Sequence, residues 1–103
     1  MIRHLVFLKF TKKTPQATRD AVMRDLAALR STIVGMEDFH TGRNISPEVE
    51  FVHGLTDMFW IDFRDLRARD AYLANDMHKA IGSRIMASLD GGAKGLFVCD
   101  IEL

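Results

Sequence analysis

A chain of 103 residues is long enough to form one domain with a single hydrophobic core and too short to form two. Lysine and arginine together number 14, as do aspartate and glutamate, so the formal net charge is zero and does not favour binding to nucleic acid or to an anionic membrane. We therefore expect a single domain over residues 1–103 whose partner is small or apolar.

Cysteine content and the first residues bear on the cellular compartment. Cys99 is the only cysteine and cannot form an internal disulfide. Its apolar surroundings in the segment LFVCDI favour a small buried hydrophobe over a catalytic thiol. The first ten residues contain no apolar run long enough for a signal peptide or a membrane span. These features predict a protein of the reducing cytoplasm.

The first part of the chain predicts a strand followed by a helix. The segment His4–Phe10 is rich in β-branched and aromatic residues and is apolar on both faces, so both faces must be covered. Thr14 followed by Pro15 is typical of a helix start, with the threonine as N-cap, and the helix is expected to continue to about Ile33. Its core-facing stripe consists of Val22, Leu26, Leu29 and Ile33.

Two further strands are predicted in the middle of the chain. Gly35 is expected to end the helix, and Met36–Asn44 predicts a less buried strand that is followed by a loop over residues 44–49. Gly54–Phe63 is aromatic and apolar on both faces. It is therefore not expected to form a solvated edge of a sheet.

The last part of the chain predicts two helical segments and a fourth strand. Arg64–Ala74 is expected to be helical, with Leu66 and Leu73 turned towards the core. Met77–Leu89 is also helical, and it is followed by the stop signal DGG. The final strand is predicted over Leu96–Leu103. The core-facing stripe of the second helical segment consists of Ile81, Ile85 and Leu89.

A break between these two helical segments affects the placement of two residues that could take part in catalysis. In one unbroken helix, Tyr72 and His78 would point about 120° apart. Asn75 and Asp76 are good N-cap residues, so they predict a break that lets the two side chains share a pocket. His78 then lies in the first helical turn, where the helix dipole favours the neutral imidazole that a general base needs. The alternative is a tyrosine packed under a helix corner beside an exposed histidine.

The order strand, helix, strand, strand, broken helix, strand predicts the fold class. It is α+β, a ferredoxin-like βαββαβ protomer with a four-stranded antiparallel sheet. Two helical layers cover only one face of such a sheet, whereas three of the strands are apolar on both faces. We therefore expect a homodimer in which the sheets of two copies pack face to face and enclose a barrel-like interior.

Four segments in this order and spacing resemble the stress-responsive A/B barrel domain family of the dimeric α+β barrel superfamily. The segments are MIRHLVFLKF, GRNISPE, DAYLANDMHKAIG and LFVCDIEL. The resemblance covers nearly the whole chain. It implies a ferredoxin-like protomer whose sheet pairs with that of a second protomer to form a dimeric α+β barrel.

The resemblance also implies a candidate activity. Olivetolic acid cyclase, a plant enzyme of this family, closes a linear polyketide by aldol condensation without a metal or redox cofactor. Three positions here match its pocket residues: His78 as general base, Tyr72 as donor to the developing oxyanion, and His4 as a pocket-lining residue. Where that cyclase has a histidine on strand three, this chain has Asp57. His53 could take that role after a shift in register.

Two aspartates are further candidates for substrate binding. Asp100 lies at the Phe-Asp position of the family, here Cys-Asp, and could accept a hydrogen bond from His78 and fix its tautomer. An exposed carboxylate at the strand end is the equally weighted alternative. Asp57 must either meet a cation such as His53 or Arg43 or be solvated, and solvation is the preferred interpretation.

Other polar residues indicate ordinary surface. No His-x-His or His-x-x-x-His spacing indicates a metal site, so neither a metal nor another cofactor is expected. His40 is expected on the surface. A run of mixed charge indicates the solvated face of a helix; it contains Arg64, Asp65, Arg67, Arg69 and Asp70.

Three functions remain open from the sequence. The first is a cofactor-independent cyclase or lyase-type enzyme that acts on an apolar, carbonyl-bearing small molecule. The second is a non-catalytic, stress-associated binding or structural oligomer. The third is a cofactor-free monooxygenase, which ranks lower because the motifs of those enzymes are not matched.

Overall fold

The computed structural model describes all 103 residues, numbers 1–103. In chain order its elements are β1 (Ile2–Leu8), α1 (Gln16–Ala28), β2 (Met36–Arg43), α2 (Val49–Val52), β3 (Asp57–Phe63), α3 (Leu66–Ala74), α4 (Asp76–Ala87) and β4 (Leu96–Glu102). The strands form one antiparallel sheet in the order β2-β3-β1-β4. This topology is ferredoxin-like, as the order of predicted elements indicated. None of the helices is long and apolar enough to cross a membrane.

One face of the sheet and the helices above it form the core. The predicted stripes of α1 and α4, with the turns that follow them, are buried as expected: Val22, Leu26, Leu29, Ile33, Ile81, Ile85 and Leu89. They pack on alternate residues of the two central strands: Ile2, Val6, Leu8, Phe59, Ile61 and Phe63. Burial of apolar side chains on this single face is the main source of the fold's stability.

The predicted inward face of α3 is wrong. Leu66 and Leu73 are exposed, and the buried residues of the helix are Ala68 and Tyr72, one turn apart. The small side chain of Ala68 allows a close approach to the chain at Gly35, where an added Cβ would lie 2.7 Å from the Cβ of Ala68. This contact turns the face with Tyr72, and not the leucines, towards the sheet.

Two predicted boundaries differ in the structure. Helix α1 ends at Ala28 and not near Ile33, and a single turn of 3₁₀ helix, Leu29–Ser31, follows it. β3 begins at Asp57 and not at Gly54, because His53 and Gly54 have φ angles of 56° and 72°, a left-handed conformation that a strand does not accommodate. The preceding one-turn helix α2 was not predicted, since a single turn contains too little periodicity to read.

The start of α1 also differs from the prediction. Pro15, not Thr14, occupies the N-cap position, and no side chain caps the helix. The hydroxyl of Thr14 instead contacts that of Thr11 and donates a hydrogen bond to the carbonyl of Ser88. The threonine thus ties the loop after β1 to the end of α4.

The other face of the sheet is open within the protomer. Cross-strand pairing places seven apolar side chains on it: Leu5, Phe7, Met58, Trp60, Phe97, Cys99 and Ile101. Phe97 remains 55% exposed and Cys99 is partly buried. Cys99 therefore lies on the open face and not in the core of the protomer, because odd-numbered residues of β4 point away from the helices.

Candidate functional site

A cavity of about 510 Å³ lies between the β1–β4 side of the sheet and the helices α3 and α4. Its wall is largely apolar and includes Val6, Leu8, Phe59, Ile85 and Val98. Six of the lining residues have polar side chains: His4, Tyr72, His78, Lys79, Ser83 and Asp100. Since β4 is an edge strand, the helices do not fully cover it, and Val98 is 48% exposed although it faces their side. The cavity is therefore open at this edge. Its size and its few convergent polar groups are typical of a small-molecule site.

The break between α3 and α4 brings Tyr72 and His78 together. The side-chain oxygen of Asn75 accepts a hydrogen bond from the backbone N–H of His78 at 2.9 Å and so caps α4. The two rings lie with their centroids 4.0 Å apart. The predicted break is present in the structure, and both side chains line the same cavity.

Tyr72 is almost fully buried, yet its hydroxyl makes no hydrogen bond within the protomer. Its ring packs between those of Phe63, His4 and His78, at centroid distances of 5.2, 5.7 and 4.0 Å. Burial raises the pKa of the Tyr72 hydroxyl above its ordinary value, because the phenolate is poorly solvated there. The hydroxyl therefore stays protonated and is free to donate a hydrogen bond to a ligand.

His78 is held in its neutral form. Burial lowers the pKa of the imidazole, and the nearby charges of His4 and Lys79 lower it further, whereas the carbonyl of Leu73 opposes the shift. Nδ1 of His78 is buried and has no hydrogen-bond partner within the protomer. Nε2 also makes no hydrogen bond within the protomer, which leaves it available to accept a proton.

Asp100 contacts His4. A contact with His78, one of the two interpretations that the sequence left open, is not present. Its Oδ1 lies 2.6 Å from Nδ1 of His4, and its Oδ2 accepts a hydrogen bond of 2.7 Å from Nη1 of Arg69. The reason is the register of the sheet: His4 on β1 and Asp100 on β4 are directly paired, with both side chains on the helix-facing side. Partial burial raises the pKa of Asp100, but the bonds from Arg69 and His4 outweigh burial, so the pKa lies below its ordinary value.

Asp57 lies outside this cavity. It borders a separate, more polar cavity of about 450 Å³ between α1 and strands β2 and β3. Its carboxylate accepts a hydrogen bond from Nη1 of Arg19 at 3.3 Å, and Nη1 of Arg43 lies 3.9 Å away. The preferred expectation of solvation is wrong, because Arg19 on α1 lies over the start of β3. His53 does not reach the first cavity either, so neither candidate for the strand-three position joins His4, Tyr72 and His78.

Sequence reasoning did not single out Arg69. It lies three residues before Tyr72 and therefore on the same side of α3, a spacing that could have indicated its approach to the cavity. No group of three or more histidine, cysteine, aspartate or glutamate side chains is placed where it could hold one metal ion. His40 is exposed as expected and stacks on Trp60.

Comparison with known proteins decides the family. The model of the stress-responsive A/B barrel domain matches residues 2–102. The chain belongs to this family. No curated protein matches the sequence.

Several solved structures share the fold over almost their whole length. A dimeric ferredoxin-like protein of unknown function from Jannaschia sp. CCS1 is 28% identical, with a TM-score of 0.88 over 99% of this chain and 98% of that one. The protein At3g17210 of Arabidopsis thaliana is 23% identical, with a TM-score of 0.86 over 100% and 95%. Hydroxynitrile lyase from Passiflora edulis is 16% identical, with a TM-score of 0.81 over 99% and 92%. Because the last two proteins are less than 25% identical to this chain, the similarity to them is one of fold alone.

Proposed function

We propose that this domain catalyses proton transfer at an apolar, carbonyl-bearing small molecule, in a cyclase or lyase-type reaction. His78 is the general base that removes the proton α to the carbonyl, and Tyr72 donates a hydrogen bond to the oxygen as negative charge develops on it. The observation that supports this most directly is the pairing of these two rings, 4.0 Å apart, in a largely apolar cavity.

The protonation states of the two groups suit these roles. The lowered pKa of His78 keeps its imidazole neutral near pH 7, and the raised pKa of Tyr72 keeps its hydroxyl protonated. In the proposed step, the C–H electron pair moves into the carbonyl as an enolate, and the proton passes to Nε2 of His78. The enolate oxygen accepts the Tyr72 hydrogen bond in a site of low polarity, where such a bond is stronger than in water.

His4 and Asp100 form the polar wall opposite α4. His4 lies 5.7 Å from Tyr72, ring to ring, so a substrate carbonyl at the Tyr72 hydroxyl would also lie near His4. We assign substrate binding to this histidine and its carboxylate partner. A lyase with the same fold is known in the hydroxynitrile lyase described above.

The active assembly is proposed to be a homodimer formed through the open sheet face, with no nucleic acid or membrane as partner. Similar structures are described as dimeric, among them the protein from Jannaschia. The open face has an apolar centre, and at its border Arg3 donates two hydrogen bonds to Asp62, at 2.8 and 3.1 Å. A second copy would cover Phe97 and its neighbours, which one protomer leaves exposed.

Exchange of α-hydrogens for deuterium in D₂O tests the proposed chemistry without requiring that the product be identified. A panel of apolar ketones and β-keto thioesters would be incubated with the protein and followed by ¹H NMR. We expect His78→Gln to slow exchange by roughly 10² to 10⁴ and Tyr72→Phe by roughly 10² to 10³. Tyr72→Phe should keep its stability, because the hydroxyl makes no hydrogen bond within the protomer. His53→Gln is the matched control, since this histidine lies outside the cavity.

One observation favours ligand binding without catalysis, the competing function. Neither ring nitrogen of His78 contacts a carboxylate that would orient it. If panel compounds bind in the cavity but exchange at the same rate with wild type and with His78→Gln, the domain is a binding protein and the catalytic proposal is wrong.

A further inference from the structure

We propose that Arg69 is a positioning residue of this site, which acts through Asp100 to hold His4 with its Nε2 available to the cavity. The guanidinium donates from Nη1 to Oδ2 of Asp100 at 2.7 Å, and Oδ1 of the same carboxylate contacts Nδ1 of His4 at 2.6 Å. The three side chains thus form one continuous chain from α3 across β4 to β1. A role of this chain in substrate chemistry rests on the proposed function, whereas the state of His4 does not.

The geometry determines which nitrogen of His4 carries the proton. Hydrogen bonds from Arg69 and His4 lower the pKa of Asp100 despite its partial burial, so the carboxylate is ionised and can only accept. Nδ1 of His4 must therefore donate to it. In the neutral imidazole the other nitrogen, Nε2, then has the free lone pair, and it makes no hydrogen bond within the protomer.

Arg69 is needed because Asp100 lies on an edge strand. The side chain of His4 is 5% exposed, but that of Asp100 is 26% exposed, so water can compete for the carboxylate. Arg69, 23% exposed, occupies the second oxygen and is itself held by Asp70, whose Oδ1 accepts from Nε at 2.9 Å. Because a hydrogen bond holds each of its two oxygens, the carboxylate of Asp100 keeps one orientation.

The same arginine connects the two walls of the cavity. It lies on α3, one turn before Tyr72, and it contacts β4 at Asp100, which borders the open edge of the cavity. A shift of α3 relative to β4 would therefore move both Tyr72 and His4. We infer that Arg69 sets the position of the helix and of the histidine together.

The test is the tautomer of His4, read by long-range ¹H–¹⁵N NMR of ¹⁵N-histidine-labelled protein above the pH range in which histidine titrates. His4 is assigned by His4→Gln. In the wild type we expect one protonated nitrogen, Nδ1, and one unprotonated nitrogen, Nε2. In Arg69→Leu the two shifts should move towards each other, as in Asp100→Asn, because both tautomers are populated. Arg67→Leu, an exposed arginine on the same helix with no ion pair, should keep the wild-type pattern.

The proposal is overturned if Arg69→Leu keeps the wild-type shifts or if wild-type His4 is protonated on Nε2. Should Arg69→Leu not fold, as judged by circular dichroism, Arg69→Gln removes the charge with less loss of polarity and serves for the same measurement. Arg69→Lys should keep the tautomer only in part, because a lysine lacks the planar fork. For a compound that exchanges with wild-type protein, kcat should fall by up to about a hundredfold, and KM should rise because His4 also binds the substrate. A kcat equal to that of Arg67→Leu contradicts the positioning role.

The two proposals fail separately. If no compound exchanges but Arg69→Leu changes the His4 tautomer, Arg69 does position His4 through Asp100, and the proposed chemistry is wrong. If exchange depends on His78 but neither the tautomer nor kcat depends on Arg69, the chemistry stands and Arg69 is only a surface ion pair.

Discussion

His78 lies at a helix start and is half-buried, and burial is the largest cause of its lowered pKa. The sequence predicted a neutral ring from the helix dipole. In the structure the desolvation of the ring lowers its pKa most, followed by the nearby charges of His4 and Lys79. The ring is thus held neutral by its surroundings in the tertiary structure, and the neutral ring is suited to act as a base.

This neutral state predicts a pH dependence of stability. The pKa of His78 is lower in the folded state than the value of about 6.5 in the unfolded chain, so protonation favours unfolding. The contribution of His78 is fully present above the unfolded pKa and is lost as the pH falls towards the folded pKa. We expect the difference in free energy of unfolding between wild type and His78→Asn to shrink from about pH 7.5 to about pH 5.5, measured by urea titration.

The matched control is His53→Asn, which removes an exposed histidine far from the cavity. The difference in free energy of unfolding between wild type and His53→Asn should change less over the same pH range. A gap between wild type and His78→Asn that stays constant or widens as the pH falls would show that the folded state does not favour the neutral ring.

Helices α3 and α4 behave as one element broken at Asn75. Asp65 caps α3 by accepting from the backbone N–H of Ala68, and Asn75 caps α4 in the same way from His78. The break is local in origin, because it depends on a cap residue within the turn. The inward face of α3 is not local, because the contact between Ala68 and the chain at Gly35 selects it.

Asn75→Ala separates capping from site geometry. We expect a loss of about 1 kcal/mol in the free energy of unfolding, the usual cost of a lost N-cap. Because the cap is also the bond to the backbone of His78, the ¹⁵N shifts of the His78 ring should change as well. Asp65→Ala should cost a similar free energy and leave those shifts as in wild type. Equal ring shifts in both variants would mean that Asn75 does not position His78.

The whole molecule presents two unlike sheet faces. One is covered by helices and contains the core and the cavity, and the other is apolar and open. The sequence predicted both apolar faces of the sheet, because three of the strands are apolar on each of their two sides. A face of this kind, with Phe97 more than half exposed, needs a cover in water.

Phe97→Glu should break the proposed homodimer. A carboxylate within an apolar interface is costly to bury, and two-fold symmetry introduces the change twice. We expect the dissociation constant to rise at least about a hundredfold, measured by sedimentation velocity over a concentration series. Val34→Glu, at an exposed residue in the turn before β2, is the control and should leave the dimer unchanged. A dimer that survives Phe97→Glu uses another surface.

Much of the fold was legible in the sequence because its signals are local. Hydrophobic periodicity predicted the kinds and order of the main elements and the buried stripes of α1 and α4. The capping residues predicted the break at Asn75. Left-handed residues, as at His53, and a one-turn helix, α2, left no periodic signal, so the start of β3 was misplaced.

The candidate site was likewise predictable only where the signal in the sequence is local. Local pattern placed Tyr72 and His78 on two sides of a helix break, and the structure joins them in one cavity. The partner of Asp100 depends on the pairing of β1 with β4, between residues 96 positions apart in the chain, and a strand does not encode which residue of another strand it will face. Asp57 is drawn to Arg19 in the same way, by the packing of α1 on the sheet. Local periodicity thus decided which side chains of α1 and α4 turn inward, whereas strand register and helix packing decided the inward face of α3 and which side chains meet.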